Sequence, residues 1–427
     1  MKLRHYSSTA VLMTLLTANY AAAETLQQAW DIALKEDHNL KAVHETTRSS
    51  ELQLQAAKAA RFPSVSLGAG YTVLDDIPGA RVNFSGLSTQ FPLAERESLS
   101  YSATSQVPIY TSGKISQSIK AASASLEASQ RFELGKSLDL KLSVAETYVA
   151  VLRSEKGLQV TNSHVESLAS HLDDVKNLHA QGMVSKNDVL AAQVALADAT
   201  QSSIQMANTV DLSKSMYNRL LGRELQQEVT LAEVQAFELD GTLDSLTSRA
   251  MDKRYELLVL REQINALTHQ AAAIRAESGP HLALTGGYTF QENQYQVHEG
   301  QWGVNLGMQW KVFDAGLIRD KASSTEHRAA ALERQYEDLL TNIQLQVRQY
   351  WLDTQETVKR IKVSQISIAQ AEENLAVNRD RYENGLSTNT DVLSAVTLQT
   401  RSQNNHANAV YDAVLASLRL KRAVSDL

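Results

Sequence analysis

Three histidines, His164, His171 and His179, recur along one stretch at spacings that place them near one face of a helix, and histidine is the commonest side chain for holding a transition metal. Distance defeats that chemistry. One heptad of helix rises about 10.5 Å, so they cannot share an ion within a single helix, and a solvated stripe is the expectation. Two aspartates stand in matching contexts: Asp188 in Gln181-Gly182-Met183-Val184-Ser185-Lys186-Asn187-Asp188-Val189-Leu190, and Asp391 in Arg381-Tyr382-Glu383-Asn384-Gly385-Leu386-Ser387-Thr388-Asn389-Thr390-Asp391-Val392-Leu393. A carboxylate in the first turn of a helix is favoured by the dipole and the free N–H groups, by about 0.3–1 kcal/mol, which is capping. Brought into a ring by symmetry, the same carboxylates would repel one another or attract cations. Gly182 and Gly385 likewise suit left-handed helix ends. The sequence shows no glycine-rich phosphate loop, zinc spacing or compact nucleophile–base motif, so no enzyme, no metal site and no cofactor are expected.

The elements that carry these residues belong to an exported chain. Lys2 and Arg4, the apolar run Ala10 to Leu16 and the small residues Ala21-Ala22-Ala23 have the layout of a secretory leader over residues 1–23, with Glu24 as the expected new N-terminus. The sequence has 41 basic and 48 acidic residues, and without Lys2 and Arg4 it keeps 39 basic, a net charge near −9. Nucleic acid is therefore not an expected partner. There is no cysteine, which excludes disulfides and a lipid anchor and leaves packing or oligomerisation to hold the fold. No apolar stretch reaches the roughly 20 residues of a transmembrane helix, so any membrane span must be β.

The sequence is one unit written twice. Leu26, Ala33, Leu40, Pro63, Gly70, Tyr71 and Thr72 correspond, 217 positions on, to Leu243, Ala250, Leu257, Pro280, Gly287, Tyr288 and Thr289. Gln106, Gly113, Gly182, Asp188, Val189 and Leu190 correspond, 203 positions on, to Gln309, Gly316, Gly385, Asp391, Val392 and Leu393. The first copy carries an insertion between Tyr71 and Gln106, which reads as loop. The expected organisation is a first repeat at 24–222 with its hairpin at 63–110, a linker at 223–242, and a second repeat at 243–427 with its hairpin at 280–313. All five prolines, Pro63, Pro78, Pro92, Pro108 and Pro280, lie in or beside the hairpins. About 68 proline-free residues follow Gly113, and as many follow Gly316, enough for helices about 100 Å long. Shorter helices are expected at 25–61, 186–221, 243–277 and 389–424, with a short strand at 229–231. Leu138, Leu142, Val149 and Leu152 read as coiled-coil seams, and Ala191, Ala192, Ala195 and Ala199 as small residues that permit close helix approach.

Four segments alternate with period two. Val65, Leu67, Ala69, Tyr71 and Val73 oppose Ser64, Ser66, Gly68, Gly70 and Thr72; Leu99, Tyr101, Ala103, Val107 and Ile109 oppose Ser100, Ser102, Thr104 and Gln106. In the second copy Leu282, Leu284, Tyr288 and Phe290 form one face, as do Trp302, Val304, Leu306, Met308, Trp310 and Val312. Each is about the length of a tilted membrane strand, with aromatics near several ends. Four strands cannot close a barrel, and an open edge in lipid costs several kcal/mol per unpaired group. Identical copies must supply the rest: two would give eight strands and three twelve, and the larger barrel, which leaves an aqueous lumen, is the expectation.

On these residues the chain resembles the TolC-like outer membrane factors, the outer membrane efflux proteins of tripartite pumps and type I secretion systems. The duplicated order of helix, hairpin, long helix, glycine turn and helix carries the likeness, with the tyrosine, glycine and Asp-Val-Leu of the second turn. The resemblance implies an α+β membrane protein, a homotrimer whose twelve-stranded outer-membrane β-barrel, four strands per chain, continues as a long α-helical coiled-coil tunnel through the periplasm. It implies a periplasmic gate at Asp188, Asp391 and Tyr382, docking of a periplasmic adaptor protein at Gly182, Met183, Gly385 and Leu386, and membrane-interface aromatics at Tyr71, Tyr101, Tyr288, Trp302 and Trp310. Partners would be the adaptor, an inner-membrane transporter and outer membrane lipid. Some relatives carry an arginine before the signature aspartate and a second acidic residue a turn after it; here Ser387 and Ser394 stand there, so an arginine latch and a double acidic ring are not implied. The expected function is a passive exit duct; the alternative is a periplasmic coiled-coil scaffold with a soluble β head.

Overall fold

The computed structural model describes residues 23–238 and 241–427, so the leader expected at residues 1–23 lies outside the described residues except for Ala23. Among the described residues no helix is long and apolar enough to cross a membrane. In chain order the elements are α1 (Leu26–Glu36), α2 (His38–Ala59), β1 (Ser64–Val73), β2 (Gly79–Phe84), β3 (Leu87–Pro92), β4 (Glu97–Tyr110), α3 (Lys114–Ala180) and α4 (Lys186–Leu220). There follow α5 (Leu243–Lys253), α6 (Tyr255–Arg275), β5 (His281–Gln291), β6 (Gly300–Gln309), α7 (Leu317–Glu383) and α8 (Asn389–Ala423).

The helices α3 and α7 have 67 residues each, about 100 Å at 1.5 Å per residue. Two expected single helices are each two. Asp37 takes extended angles and its carboxylate accepts from the Leu40 N–H at 2.7 Å, ending α1 and capping α2. Arg254 is extended at the matching place between α5 and α6. Neither break has a proline or glycine, so helical periodicity runs through both. The strand expected at 229–231 is a single parallel bridge between Glu24 and Leu231. Glu24 and this segment exchange backbone bonds, Glu24 N–H to Thr230 and Ala232 N–H to Glu24, both 2.9 Å. Arg223 grips the Glu24 carboxylate with two 2.8 Å bonds, and the Tyr148 hydroxyl lies 2.6 Å from the carbonyls of Glu24 and Ala232.

Tyr148 and Tyr217 are fully buried and pack edge to face at 6.0 Å in a core shared by α1, the middle of α3, the end of α4 and the end of α8. The second copy builds its own core from Leu246, Leu257, Ile343, Val347 and Leu420. Beside it the α8 residue Arg422 donates to Asp139 at 2.6 Å and to Glu256 at 2.8 Å, while Arg254 holds the other side of Glu256 at 3.0 Å. Burial alone would raise the Glu256 carboxyl; the Arg254 and Arg422 guanidiniums outweigh it and bring it down to about 2.

The strands form an antiparallel sheet in the order β1-β4-β5-β6. Its register stacks like on like: Tyr71 faces Leu99, Leu67 faces Ala103, Tyr101 faces Phe290, Val107 faces Leu284, Leu284 faces Leu306 and Tyr288 faces Trp302. The other face carries Ser64, Ser66, Gly68, Gly70, Ser100, Ser102, Thr104, Gln106, Thr285, Thr289, Gln301, Asn305 and Gln309. Two details differ from the alternation. The register shifts between Pro108 and Tyr110, so Tyr110, not Ile109, stands opposite Leu282; Pro108 lacks the N–H that a regular ladder uses. Strand β6 stops at Gln309, leaving Trp310 and Val312 beyond it. The insertion read as loop contains a hairpin of its own, β2 pairing with β3 around Ser85 and Gly86, both at positive φ as a type I′ turn requires.

Candidate functional site

The far ends of the long helices form two turns built alike. At the first, Met183 N–H bonds to Leu178 and Gly182 N–H to His179, each 2.9 Å, the doubly bonded cap that needs a left-handed residue, here Gly182 at φ 75°. At the second, Leu386 N–H bonds to Arg381 at 2.7 Å and Gly385, at φ 71°, to Tyr382 at 3.0 Å. Both turns lead into capping boxes. Asp188 accepts from the Ser185 N–H and hydroxyl at 3.0 and 2.7 Å. Asp391 accepts from the Thr388 N–H and hydroxyl at 2.9 and 2.7 Å and also from the Ser387 hydroxyl at 3.0 Å. The Thr388 and Ser387 bonds, with Arg381 nearby, hold the Asp391 carboxyl below its usual range. Met183 and Leu386 are exposed at the outer edge of the turns.

Tyr382 lies inside, 7% exposed, its ring centroid 5.5 Å from that of His171. His171 corrects the expected solvated stripe: it is 3% exposed, in phase with the seam residues Leu168, Leu172 and Val175. His164 is half-buried on the same seam, and only His179 is exposed, donating from Nδ1 to the Val184 carbonyl at 2.9 Å. His171 donates from Nε2 to Asn389 Oδ1 at 2.7 Å, and Asn389 donates from Nδ2 to the Asp188 carbonyl at 3.1 Å. One buried amide thus joins α3, the start of α4 and the start of α8. Arg379 adds a 2.6 Å bond to Ser167. The Ser387 hydroxyl serves its own turn, and the His171, Asn389 and Arg379 ties connect the two helical hairpins. Sequence reasoning missed Asn389, Arg379 and Ser167. The usable signal was broken repeat symmetry, since His171 and Asn389 correspond to Asn374 and Lys186 in the other copy.

Burial holds His171 below its ordinary value of 6.5, the Asn389 bond and Asp174 partly oppose this, and Arg379 reinforces it. The folded tip therefore favours the neutral ring. Its contribution is complete above 6.5 and is lost as pH falls through the lowered folded value. Protection factors in residues 178–190 and 381–393, with the intrinsic slowing of amide exchange in acid divided out, are expected to fall on acidification from pH 7.5 to 5, and a His171→Gln variant should lose most of that response. Equal acid responses in both proteins would remove His171 as the titrating group.

At the other end of the molecule, Tyr71, Tyr101, Tyr288 and Trp302 share the apolar sheet face near the ends of the strands away from the helices. Tyr101 stacks on Phe290 at 4.5 Å and Tyr288 meets Trp302 at 5.4 Å. Trp310 lies at the helix end and donates to the Ser278 carbonyl at 3.0 Å.

The family model described as "Outer membrane efflux protein" matches residues 29–223 and 246–425. The chain is 22% identical to the outer membrane protein TolC of Vibrio cholerae, over 98% of this chain and 94% of that protein. It is 23% identical to the proteases secretion protein PrtF of Dickeya chrysanthemi, over 90% and 85% of the two chains. Among solved structures, the Campylobacter jejuni CmeC outer membrane channel superposes with a TM-score of 0.80 at 15% identity, covering all of this chain and 94% of its own. VceC of Vibrio cholerae gives 0.79 at 18% identity, covering 93% of this chain and 95% of its own. With both repeats matched, the chain belongs to the outer membrane efflux protein family.

Proposed function

We propose that three copies close a twelve-stranded barrel in the outer membrane and a helical tunnel beneath it, forming a passive exit duct for cargo delivered by an inner-membrane transporter and a periplasmic adaptor. The carrying observation is the sheet: its apolar face is bare on β1 and β6 and, within the one described chain, β1 and β6 are its edges. In lipid such edges must be paired by other strands. The two matched segments act as two copies of one unit, each giving two strands and one long helical hairpin. Tyr71, Tyr101, Tyr288 and Trp302 form the outer aromatic girdle and Trp310 belongs to the inner one. The exposed Gly182-Met183 and Gly385-Leu386 turns receive the adaptor, and Asp188, Asp391 and Tyr382 belong to the gate. The likeness to PrtF, a proteases secretion protein, supports protein as one cargo of such a duct.

The test is extraction and conductance. The duct requires detergent for release, migrates as a heat-dissociable oligomer and conducts ions in planar bilayers; release by osmotic shock as a soluble species would favour the scaffold reading instead. Within the duct, Asp391→Lys is expected to shift selectivity away from cations, with Asp391→Asn intermediate. Unchanged reversal potentials in both would leave Asp391 with its capping bonds alone.

A further inference from the structure

The β2–β3 hairpin has two unlike faces. Its register puts Ala80 opposite Phe91, Val82 opposite Thr89 and Phe84 opposite Leu87 on one side, and Arg81 opposite Gln90 and Asn83 opposite Ser88 on the other. The first side is bare, with Phe84 80% and Leu87 73% exposed. Lipid is not its natural cover. The ten residues of β1, tilted as barrel strands are, already rise through the roughly 25 Å apolar band of an outer membrane, and the hairpin begins where they end.

Its surroundings direct it inward. The loop between β5 and β6 leans over the polar face, where Gln296 and Glu299 line one cleft with Gly68, Gly70, Ser100 and Ser102. The hairpin's base is fastened to that loop: Asn293 donates to the Leu93 carbonyl at 2.9 Å and Gln294 N–H to the Glu95 carboxylate at 2.7 Å. Twelve strands at about 4.8 Å spacing and about 40° tilt give a barrel radius of about 12 Å, and six-residue strands reach about 20 Å. Hairpins from three copies are long enough to meet on the axis.

We infer that the apolar faces of the three β2–β3 hairpins pack on one another to form a lid over the external mouth, an inference that rests on the trimeric duct proposed above. The partner of each hairpin is the same hairpin in the other copies, which buries Val82, Phe84, Leu87 and Phe91 at the one place where threefold symmetry presents identical apolar faces to each other.

The cysteine-free chain makes the test direct. In Phe84→Cys, mild oxidation of the assembled oligomer in membranes is expected to join two of three subunits covalently. Separately, Asn305→Cys places a thiol on the polar face in mid-barrel, to be labelled from outside intact cells with a bulky maleimide. A lid open a tenth of the time or less slows this labelling at least about tenfold relative to the same variant lacking residues 79–92. A heat-dissociable oligomer that gives no cross-link and labels equally fast with and without the hairpin overturns the lid and leaves the duct standing. A wild-type protein that never oligomerises overturns both.

Discussion

Val304→Arg is expected to remove the detergent-extracted oligomer from the outer membrane altogether, while the neighbouring Asn305→Arg leaves it in place. Val304 is mid-strand on the apolar face of β6, opposite Gly286, and 80% exposed in the single chain. In a barrel that position faces hydrocarbon, where an arginine near the midplane costs about 2–4 kcal/mol per chain. A trimer bears the cost three times, and the sum is comparable to the whole stability of a typical domain, about 5–15 kcal/mol. Asn305 points to the other side, opposite Thr285, where charge meets water. Comparable oligomer yields for the two variants would refute the assignment of faces, since a soluble sheet with both faces wet tolerates either.

Arg422→Met is expected to loosen the middle of the molecule by about 3 kcal/mol, the lower end of the range for breaking a buried pair, because the partner carboxylates keep some contact with water. The guanidinium is nearly buried and ties α8 to Asp139 of α3 and Glu256 of α6. Without it, Arg254 is the only one of Glu256's two arginine partners left. The check is the midpoint of thermal loss of helical signal in detergent; an unchanged midpoint would count against the network. Acid sensitivity gives a second measure. Glu256 has its folded value depressed to about 2, so its contribution is complete above the ordinary glutamate value of 4.5 and is lost as pH falls through about 2. In Glu256→Gln the stability lost between pH 4.5 and 2 should shrink.

Much of this architecture was legible because it is periodic. Alternation in four segments, retained in phase across two copies, fixed which residues share a sheet face, and the confinement of proline to the hairpins left room for two uninterrupted helices. What escaped is local or tertiary. Asp37, with a capping carboxylate, and Arg254, with no side-chain cap, both break the helix in extended backbone without the glycine or proline that marks a break in sequence. The β2–β3 hairpin was hidden in an insertion whose turn, Ser85-Gly86, is a weaker signal than Asn-Gly. The tip turns were readable from Gly182, Gly385 and the capping aspartates, whereas the tie from His171 through Asn389 to the Asp188 carbonyl arises only when residues some 200 positions apart pack together. Histidine on a helix also reads as polar, and only its phase with Leu168, Leu172 and Val175 shows that it is buried.

The bridge between Glu24 and Leu231 imposes an order on biogenesis. The first described residues have their backbone partners in a segment that emerges from the translocation machinery some two hundred residues later, with Tyr148 of the intervening helix required to seat both carbonyls. Closure over so long a separation is slow, and the leading segment cannot reach its native place until the linker between the repeats has been delivered. Until the middle of α3, Leu140 to Leu152, has followed it through, the nascent polypeptide carries α1's apolar side, Leu26, Ala29, Trp30 and Ala33, uncovered, which makes that stretch the expected first foothold for a holding chaperone.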